Sequence, residues 1–152
     1  MTRVVSGFPG IEKTTLFDNG TRFLLLDSDS STFSWADPVK RIRNPEWPQN
    51  YLRHILQNIG KVDEIFVSSH AEVRTALVDA GIKFTLVYPG LEMKEEYVQR
   101  YVSRGNAPAF VTLLQENYDA WITELMQQEG CTHIVLKPGQ YLSDVLFIDW
   151  PD

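Results

Sequence analysis

The stretch that decides the fold is an apolar run followed by a glycine-containing turn, a lysine and two hydroxyl residues: Val4-Val5-Ser6-Gly7-Phe8-Pro9-Gly10-Ile11-Glu12-Lys13-Thr14-Thr15. The pattern G-x-x-x-x-G-K-[ST] binds phosphate because successive backbone N–H groups and the positive end of the next helix surround the anion. Its lysine reaches the phosphate oxygens, and its hydroxyl ligates Mg²⁺. Gly7, Lys13 and Thr14 are in register with this pattern, which predicts a strand, a phosphate-binding turn and a helix.

One position departs from the pattern, because Glu12 stands where the second glycine is expected. A glutamate there brings a side chain to a backbone position that favours φ > 0, and a negative charge to the place of the phosphates. If the carboxylate points outwards instead, it can pair with Lys13 or an arginine. Glu12 therefore decides how well this turn can bind phosphate.

Apolar runs typical of buried parallel strands recur along the chain, at about 3–6, 23–27, 64–68, 83–88 and 133–137. Segments with helical spacing separate them. Parallel neighbours require right-handed crossover connections, so this alternation predicts helices on both faces of the sheet. We expect residues 1–152 to form a single α/β domain, a three-layer α/β/α sandwich with a five-stranded parallel sheet.

The composition limits the classes of partner. The chain has 14 Lys and Arg against 20 Asp and Glu, a net charge of −6, which gives no general attraction to nucleic acid or anionic membranes. It has no basic-then-apolar signal segment, and no apolar run approaches the roughly 18 residues of a membrane span. We expect a cytoplasmic protein that acts on a small molecule, while the oligomeric state stays open.

Local signals place several helices. Pro48 can open a helix at its first turn, and Pro108 starts the longest helix, whose apolar stripe should face the core. The sequence Ser69-His70-Ala71-Glu72 matches a capping box, in which the serine and the glutamate side chains bind each other's backbone N–H groups. His70 also stands at the carboxyl end of a predicted strand, so it is a candidate for ligand binding, although a structural role is the simpler interpretation.

Two acids, Asp27 and Asp29, follow the second apolar run, and two arginines, Arg100 and Arg104, lie one turn apart on a charged helix. Acids at the carboxyl end of a parallel strand are well placed to meet a ligand. The simpler interpretation makes the acids turn and cap residues. Likewise, the arginines can pair with neighbouring glutamates or complement the helix dipole without a ligand.

A long segment with little periodicity, residues 32–50, is rich in aromatic residues, prolines and arginine. Its aromatic rings could stack on a base or sugar, while Arg43 and Asn44 bind a polar edge or a phosphate. The alternative is a packed flap over the sheet edge, because tryptophan usually buries most of its area. The candidate substrate-binding residues are Trp35, Arg43, Asn44, Trp47, Tyr51 and His70.

Together, the Gly7–Thr15 turn, the Asp27-Ser28-Asp29 segment and the Arg100/Arg104 helix resemble the nucleoside and nucleotide kinases of the P-loop superfamily, in particular small phage-type kinases. The resemblance covers most of the chain. It implies a P-loop NTPase-like fold and transfer of phosphate from ATP, with Mg²⁺, to a nucleoside, a nucleotide or a similar small acceptor. The residues expected to bind ATP are Gly7, Gly10, Glu12, Lys13, Thr14 and Thr15.

The resemblance also implies individual roles, since phosphoryl transfer requires mainly positioning and charge neutralisation. Lys13 would neutralise the β- and γ-phosphates, and Thr14 would hold Mg²⁺, with Asp27 bound to the ion through water. Asp29 would orient or deprotonate the acceptor hydroxyl. Arg100 and Arg104 would reach the transferred group when a lid closes.

Two other functions stay open. Glu12 favours a non-catalytic protein that keeps the fold and binds a nucleotide-like ligand. A kinase of a modified base in phage DNA is the third hypothesis, and it would require a basic groove formed by Arg41, Arg43 and Arg53 to offset the acidic charge.

Overall fold

The computed structural model describes residues 2–9, 11, 25–28, 31–36 and 42–146. The strands are β1 (Arg3–Gly7), β2 (Leu25–Asp27), β3 (Glu64–Ser68), β4 (Thr85–Pro89) and β5 (Thr132–Leu136). The helices are α1 (Ser31–Ser34), α2 (Gln49–Asn58), α3 (Ala71–Asp79), α4 (Lys94–Ser103), α5 (Pro108–Met126) and α6 (Leu142–Leu146), with a 3₁₀ turn at Leu91–Met93. The short helix predicted directly after Lys13 lies outside the described residues.

The strands form one sheet in the order β2-β3-β1-β4-β5, and each pair of neighbours is parallel. The predicted α/β class with a parallel sheet is confirmed. β1 lies at the centre, where Val5 is in register with Phe66 of β3 on one side and with Thr85 of β4 on the other. Such a strand is covered on both faces, in agreement with the burial of every residue of β1 after Arg3.

Aromatic side chains from α4 and α5 pack against the sheet. Tyr97 and Tyr118 are fully buried and meet the ring of Phe8, which follows β1, in edge-on contacts of 5.8 and 6.0 Å between centroids. The hydroxyl of Tyr118 donates to the carbonyl oxygen of Gly90 at 2.8 Å, which satisfies its polar end inside the core. The predicted stripe of α5 is therefore confirmed as core-facing at Leu114, Tyr118 and Ile122.

Strand order singles out the carboxyl end of β1. The chain leaves β1 in the direction of β2 and leaves β4 in the direction of β5, so the connections after these two neighbours diverge. Open parallel sheets bind ligands outside the carboxyl ends of their strands at such a reversal. Gly7 ends β1 at this point. Within the described ranges, no helix is both long and apolar enough to cross a membrane.

At the opposite edge of the sheet, Glu64 is a buried acid. It begins β3, is 0% exposed and pairs with Arg3 of β1, while its Oε2 has no hydrogen-bond partner among the described residues. Burial raises the pKa of this carboxyl to about 7, although the charge of Arg3 and its hydrogen bond oppose the shift. Glu64 is therefore expected to make the stability of the fold depend on pH.

Glu64→Gln should remove a pH dependence with a defined sign. Unfolding exposes a carboxyl that ionises near 4.5, so between pH 4.5 and about 7 the unfolded chain releases a proton that the folded chain keeps. Wild-type stability should fall relative to the variant across this window, by about 3 kcal/mol. Urea unfolding of both proteins between pH 4 and 8 measures the difference. Parallel curves would contradict the assignment, and Glu95→Gln, at an exposed acid of α4, is the control.

Candidate functional site at the carboxyl edge of the sheet

The segment after β1 is held by backbone contacts on several sides. Phe8 N–H donates to Val87 O at 3.0 Å, so the pairing of β1 with β4 continues one residue beyond Gly7. The carbonyl oxygen of Pro9 accepts from the hydroxyl of Tyr101, and that of Ile11 accepts from Leu142 N–H at 2.9 Å. The other residues expected to bind ATP, which are Gly10, Glu12, Lys13, Thr14 and Thr15, lie outside the described residues.

A cavity of about 220 Å³ lies beside this segment, between the carboxyl ends of β1 and β3 and the helices α3, α4 and α5. We call it the edge pocket. Four aromatic rings, those of Phe8, Tyr101, Phe110 and Trp121, form most of its wall. Phe110 meets Tyr101 edge-on with 5.3 Å between centroids, and both Phe110 and Trp121 are half-buried. Such a wall suits an apolar or planar ring.

The polar side of the edge pocket is organised by a buried arginine. Arg74 of α3 is 4% exposed, and its Nε donates to Ser69 O at 2.9 Å. Its other nitrogens reach Gln128 Oε1 at 2.7 Å and Glu124 Oε1 at 3.4 Å. Because three partners fix the guanidinium, its charge stands at a constant position beside the aromatic rings. The pocket thus combines planar apolar walls with the Arg74–Glu124 ion pair on its polar side.

His70 lies at the mouth of the edge pocket and precedes α3 as its N-cap residue. The predicted capping box is wrong, because α3 has no side-chain cap hydrogen bond. The Glu72 carboxylate instead accepts from Trp47 Nε1 at 2.7 Å, a partner 25 residues away in sequence. His70 is thus placed beside the pocket, in agreement with its candidacy for substrate binding, which stays a prediction.

The acid-bearing end of β2 is fixed through Ser28. Ser28 N–H donates to Phe66 O at 3.0 Å, and its carbonyl oxygen accepts from the Tyr51 hydroxyl at 2.6 Å. Its own hydroxyl lies 2.8 Å from Nε2 of His54, and burial lowers the pKa of that imidazole. Asp27 ends β2 opposite Phe66, while Asp29 lies outside the described residues. Ser28, which follows Asp27, therefore makes hydrogen bonds through its N–H, its carbonyl oxygen and its hydroxyl.

The aromatic segment mainly makes intramolecular contacts. Tyr51 is 1% exposed, and its ring lies 5.6 Å from that of Trp47. Asn44 Oδ1 accepts from Glu46 N–H at 3.0 Å. The guanidinium of Arg43 stacks on Trp35, 4.7 Å from the ring centroid. These contacts match the packed-flap interpretation, and Arg43 is exposed whereas Trp35, Asn44 and Trp47 are half-buried.

Arg100 is buried rather than extended towards a ligand. It is 8% exposed, and its Nη2 donates to Glu96 Oε2 at 2.7 Å and to Gln140 O at 3.0 Å. Arg104 follows at the C-cap of α4 and is exposed, with its guanidinium 5.8 Å from the centroid of the Tyr101 ring. The two arginines therefore have different surroundings, although their sequence spacing suggested one shared role.

Sequence comparison adds no assignment. No protein-family model matches the chain, and no curated protein is significantly similar to it in sequence. A function must therefore be inferred from the residues and their surroundings.

Other chemistry finds little support in the part of the chain that the structure describes. It contains no group of three or more His, Cys, Asp or Glu side chains placed to hold a metal ion. Cys131 Sγ lies 3.6 Å from His133 Nε2, but that nitrogen is 2.7 Å from the carbonyl oxygen of Gln128 and must donate to it. It cannot then accept the thiol proton, so the two residues do not form a nucleophile and base pair.

Sequence reasoning missed most of the edge pocket. The spacing of Phe110 and Trp121 fits the core-facing stripe of α5, and no sequence pattern marks Arg74 as a site residue. One signal was present, because an arginine on the apolar face of α3, beside Val73 and Leu77, is unusual for a plain core. The pocket itself depends on α3 and α5 meeting at the sheet edge, which residue spacing alone does not specify.

Proposed function

We propose that the chain is an ATP- and Mg²⁺-dependent phosphotransferase that acts on a hydroxyl or phosphate group of a nucleoside, a nucleotide or a similar small acceptor. The observation that carries the proposal is the position of Gly7. The segment with the phosphate-binding pattern begins at the carboxyl end of the central strand, where connections diverge and where the edge pocket opens. A donor loop and an acceptor pocket would then be adjacent.

A further observation agrees with polyphosphate and Mg²⁺ at this edge. The Ser68 hydroxyl, in register with Gly7 across β1 and β3, is buried and has no hydrogen-bond partner among the described residues. Buried hydroxyls are usually bonded, so this one suits a phosphate oxygen or a water bound to the ion. Thr14 and Asp27 would hold Mg²⁺, which would neutralise charge on the phosphates. Lys13 would bind the β- and γ-phosphates, and Asp29 would orient the acceptor hydroxyl.

The size of the edge pocket limits the acceptor. An apolar cavity of about 150 Å³ holds a benzene molecule, whereas drug-sized ligands occupy roughly 300–1,000 Å³. A cavity of about 220 Å³ therefore takes one substituted six-membered ring, with any sugar or phosphate outside it. Trp121 and Phe110 would contact the ring, and the Arg74–Glu124 ion pair would face a polar group at its edge. We propose a single-ring acceptor on this basis.

Calorimetric titration with Mg·ATP, followed by a phosphotransfer assay on single- and double-ring nucleosides, tests both parts of the proposal. We expect micromolar binding of Mg·ATP and faster transfer to single-ring acceptors. Ala71→Phe, at an exposed position on the mouth of the pocket, should reduce kcat/KM for the acceptor at least tenfold and leave Mg·ATP affinity unchanged. Ala80→Phe, at the exposed far end of α3, is the matched control.

The outcomes of this experiment separate the donor from the acceptor proposal. Wild-type acceptor kinetics in Ala71→Phe would show that the acceptor binds elsewhere. Absence of Mg·ATP binding by the wild-type chain would contradict the donor assignment. Binding without transfer to any acceptor would favour the second candidate function, a non-catalytic protein that binds a nucleotide-like ligand.

The engagement of Arg100 by Glu96 and Gln140 favours this second candidate, because that cation is already neutralised. The third hypothesis, action on a base in DNA, is less well supported. Arg43 lies 4.0 Å from Glu72 and Arg53 lies 3.3 Å from Glu46, so the charge that a DNA groove would need is offset at both positions. Arg41 lies outside the described residues.

A further inference from the structure

One stretch of α4 contacts two separate loops at the carboxyl edge of the sheet. Its residues Glu96 and Arg100 reach the turn between β5 and α6, and the adjacent Tyr101 reaches the segment after β1. No sequence pattern predicted this arrangement. Glu96 and Arg100 make the first set of contacts, and Tyr101 makes the second.

Glu96 and Arg100 fix the turn between β5 and α6. Glu96 Oε1 accepts from Gly139 N–H at 2.9 Å, and Arg100 donates to Gln140 O at 3.0 Å. The guanidinium also stacks between two rings, 4.4 Å from the centroid of Tyr97 and 4.0 Å from that of Tyr141. A cation held by stacking on two faces and by hydrogen bonds in its plane has little freedom to move towards a ligand.

Two further hydrogen bonds fix the segment after β1, and both end on carbonyl oxygens of that segment. Tyr101, whose side chain is buried, donates its hydroxyl proton to Pro9 O. Two residues further along the segment, Ile11 O accepts from Leu142 N–H at 2.9 Å. Leu142 directly follows Tyr141, so the turn that Arg100 holds also carries the donor to Ile11.

We infer that Glu96, Arg100 and Tyr101 form a clamp that fixes the backbone at Pro9 and at Ile11, and that Arg100 is a positioning residue. The effect of the clamp on ligand binding rests on the proposed function. A phosphate-binding turn acts through preoriented backbone N–H groups, so bonds that restrict its backbone before the ligand arrives increase affinity. Arg100 would thus act through the turn rather than by contact with the transferred phosphoryl group.

Amide hydrogen exchange tests the clamp without any ligand, in Tyr101→Phe and in Tyr118→Phe. The second variant is the matched control, because it removes the hydroxyl-to-carbonyl bond of another buried tyrosine, which ends on Gly90 instead of Pro9. Each should lower Tm by about 2–4 °C. Only Tyr101→Phe should speed exchange of the Phe8 and Leu142 amides, about fivefold. Equal exchange in both variants would overturn the clamp.

Arg100→Lys and Arg100→Gln distinguish positioning from direct contact. A positioning role predicts that both speed exchange at Leu142, because lysine lacks the planar group that stacks on two rings. Both should also weaken Mg·ATP binding about fivefold and change kcat little. A contact with the phosphoryl group predicts instead a large loss of kcat in Arg100→Gln that lysine partly restores, and this result would overturn the inference for Arg100.

Failure of the inference and failure of the proposed function are distinguishable. If no chain binds Mg·ATP, the proposed function fails, while the exchange rates at Phe8 and Leu142 still decide whether the clamp exists. If Mg·ATP binds equally well to the wild type and to Tyr101→Phe although exchange differs, the clamp exists but has no part in binding.

Discussion

Lys13→Ala is expected to reduce phosphotransfer from ATP about a thousandfold. A phosphotransferase does little covalent chemistry of its own, and most of its rate comes from positive groups placed around the transferring phosphate. Lys13 is the only lysine of the chain within the phosphate-binding pattern. Steady-state assays with saturating Mg·ATP and a single-ring acceptor measure the effect.

Lys61→Ala is the control for this prediction. Lys61 is exposed in the turn that precedes β3, at the amino edge of the sheet and thus away from the candidate site. Lys61→Ala removes the same positive charge, and we expect it to change the rate of phosphotransfer less than twofold. If Lys13→Ala kept the wild-type rate as well, the Gly7–Thr15 segment would not be the donor site, and the function would have to be sought elsewhere on the molecule.

The sheet could be predicted from the sequence because its strands are buried on both faces. Val4-Val5 and Ile65-Phe66-Val67 are uninterrupted apolar runs, and the structure places them side by side in β1 and β3. Gly60, Gly81 and Gly105, which follow α2, α3 and α4, adopt the positive φ that is typical of glycines at helix ends. The strands and the helix ends depend on residues that are close in sequence, so the spacing of apolar residues and glycines predicts them.

Features that depend on distant partners could not be predicted in this way. Glu72 has the spacing of a capping box, yet it binds the indole of Trp47, because that N–H lies close to the start of α3 in the folded chain. The role of Arg100 is similar. Its spacing from Arg104 suggested a shared ligand, whereas Tyr141 and Gln140, 40 residues further on, provide its surroundings.

The sequence predicted at which end of the sheet the candidate residues lie, but it predicted only some of the residues that lie together there. The rule that ligands bind at the carboxyl ends of parallel strands places Gly7, Asp27 and His70 at one edge, and the structure agrees for these three positions. Trp47 and Tyr51 instead bond to Glu72 of α3 and to Ser28 after β2. Three of the four aromatic rings of the edge pocket come from α4 and α5, and their positions require the angle between these helices, which the sequence does not contain.

If the proposed function holds, Glu12 would impose two separable physical costs. Its side chain would oppose the φ > 0 backbone of the phosphate-binding pattern, a strain of about 1–3 kcal/mol that a loop fixed by neighbouring contacts can tolerate. Its charge matters more. A carboxylate about 4 Å from a phosphate, at an effective dielectric constant near 20, costs about 4 kcal/mol. The bonds to Pro9 O and Ile11 O on the preceding residues limit how far the backbone can move to relieve either cost.

Glu12→Gly should therefore tighten Mg·ATP binding by about a thousandfold or more, because loss of the charge alone gives about a thousandfold and the variant also removes the strain. Glu12→Gln is the matched variant, since it removes the charge and keeps a side chain of the same size. Calorimetric titration of the three proteins separates the two costs. If repulsion dominates, Glu12→Gln approaches the affinity of Glu12→Gly, and if strain dominates, it stays near the wild type. Equal affinity in all three would mean that the Glu12 carboxylate points away from the phosphates, and no binding by any of them would exclude ATP as the donor.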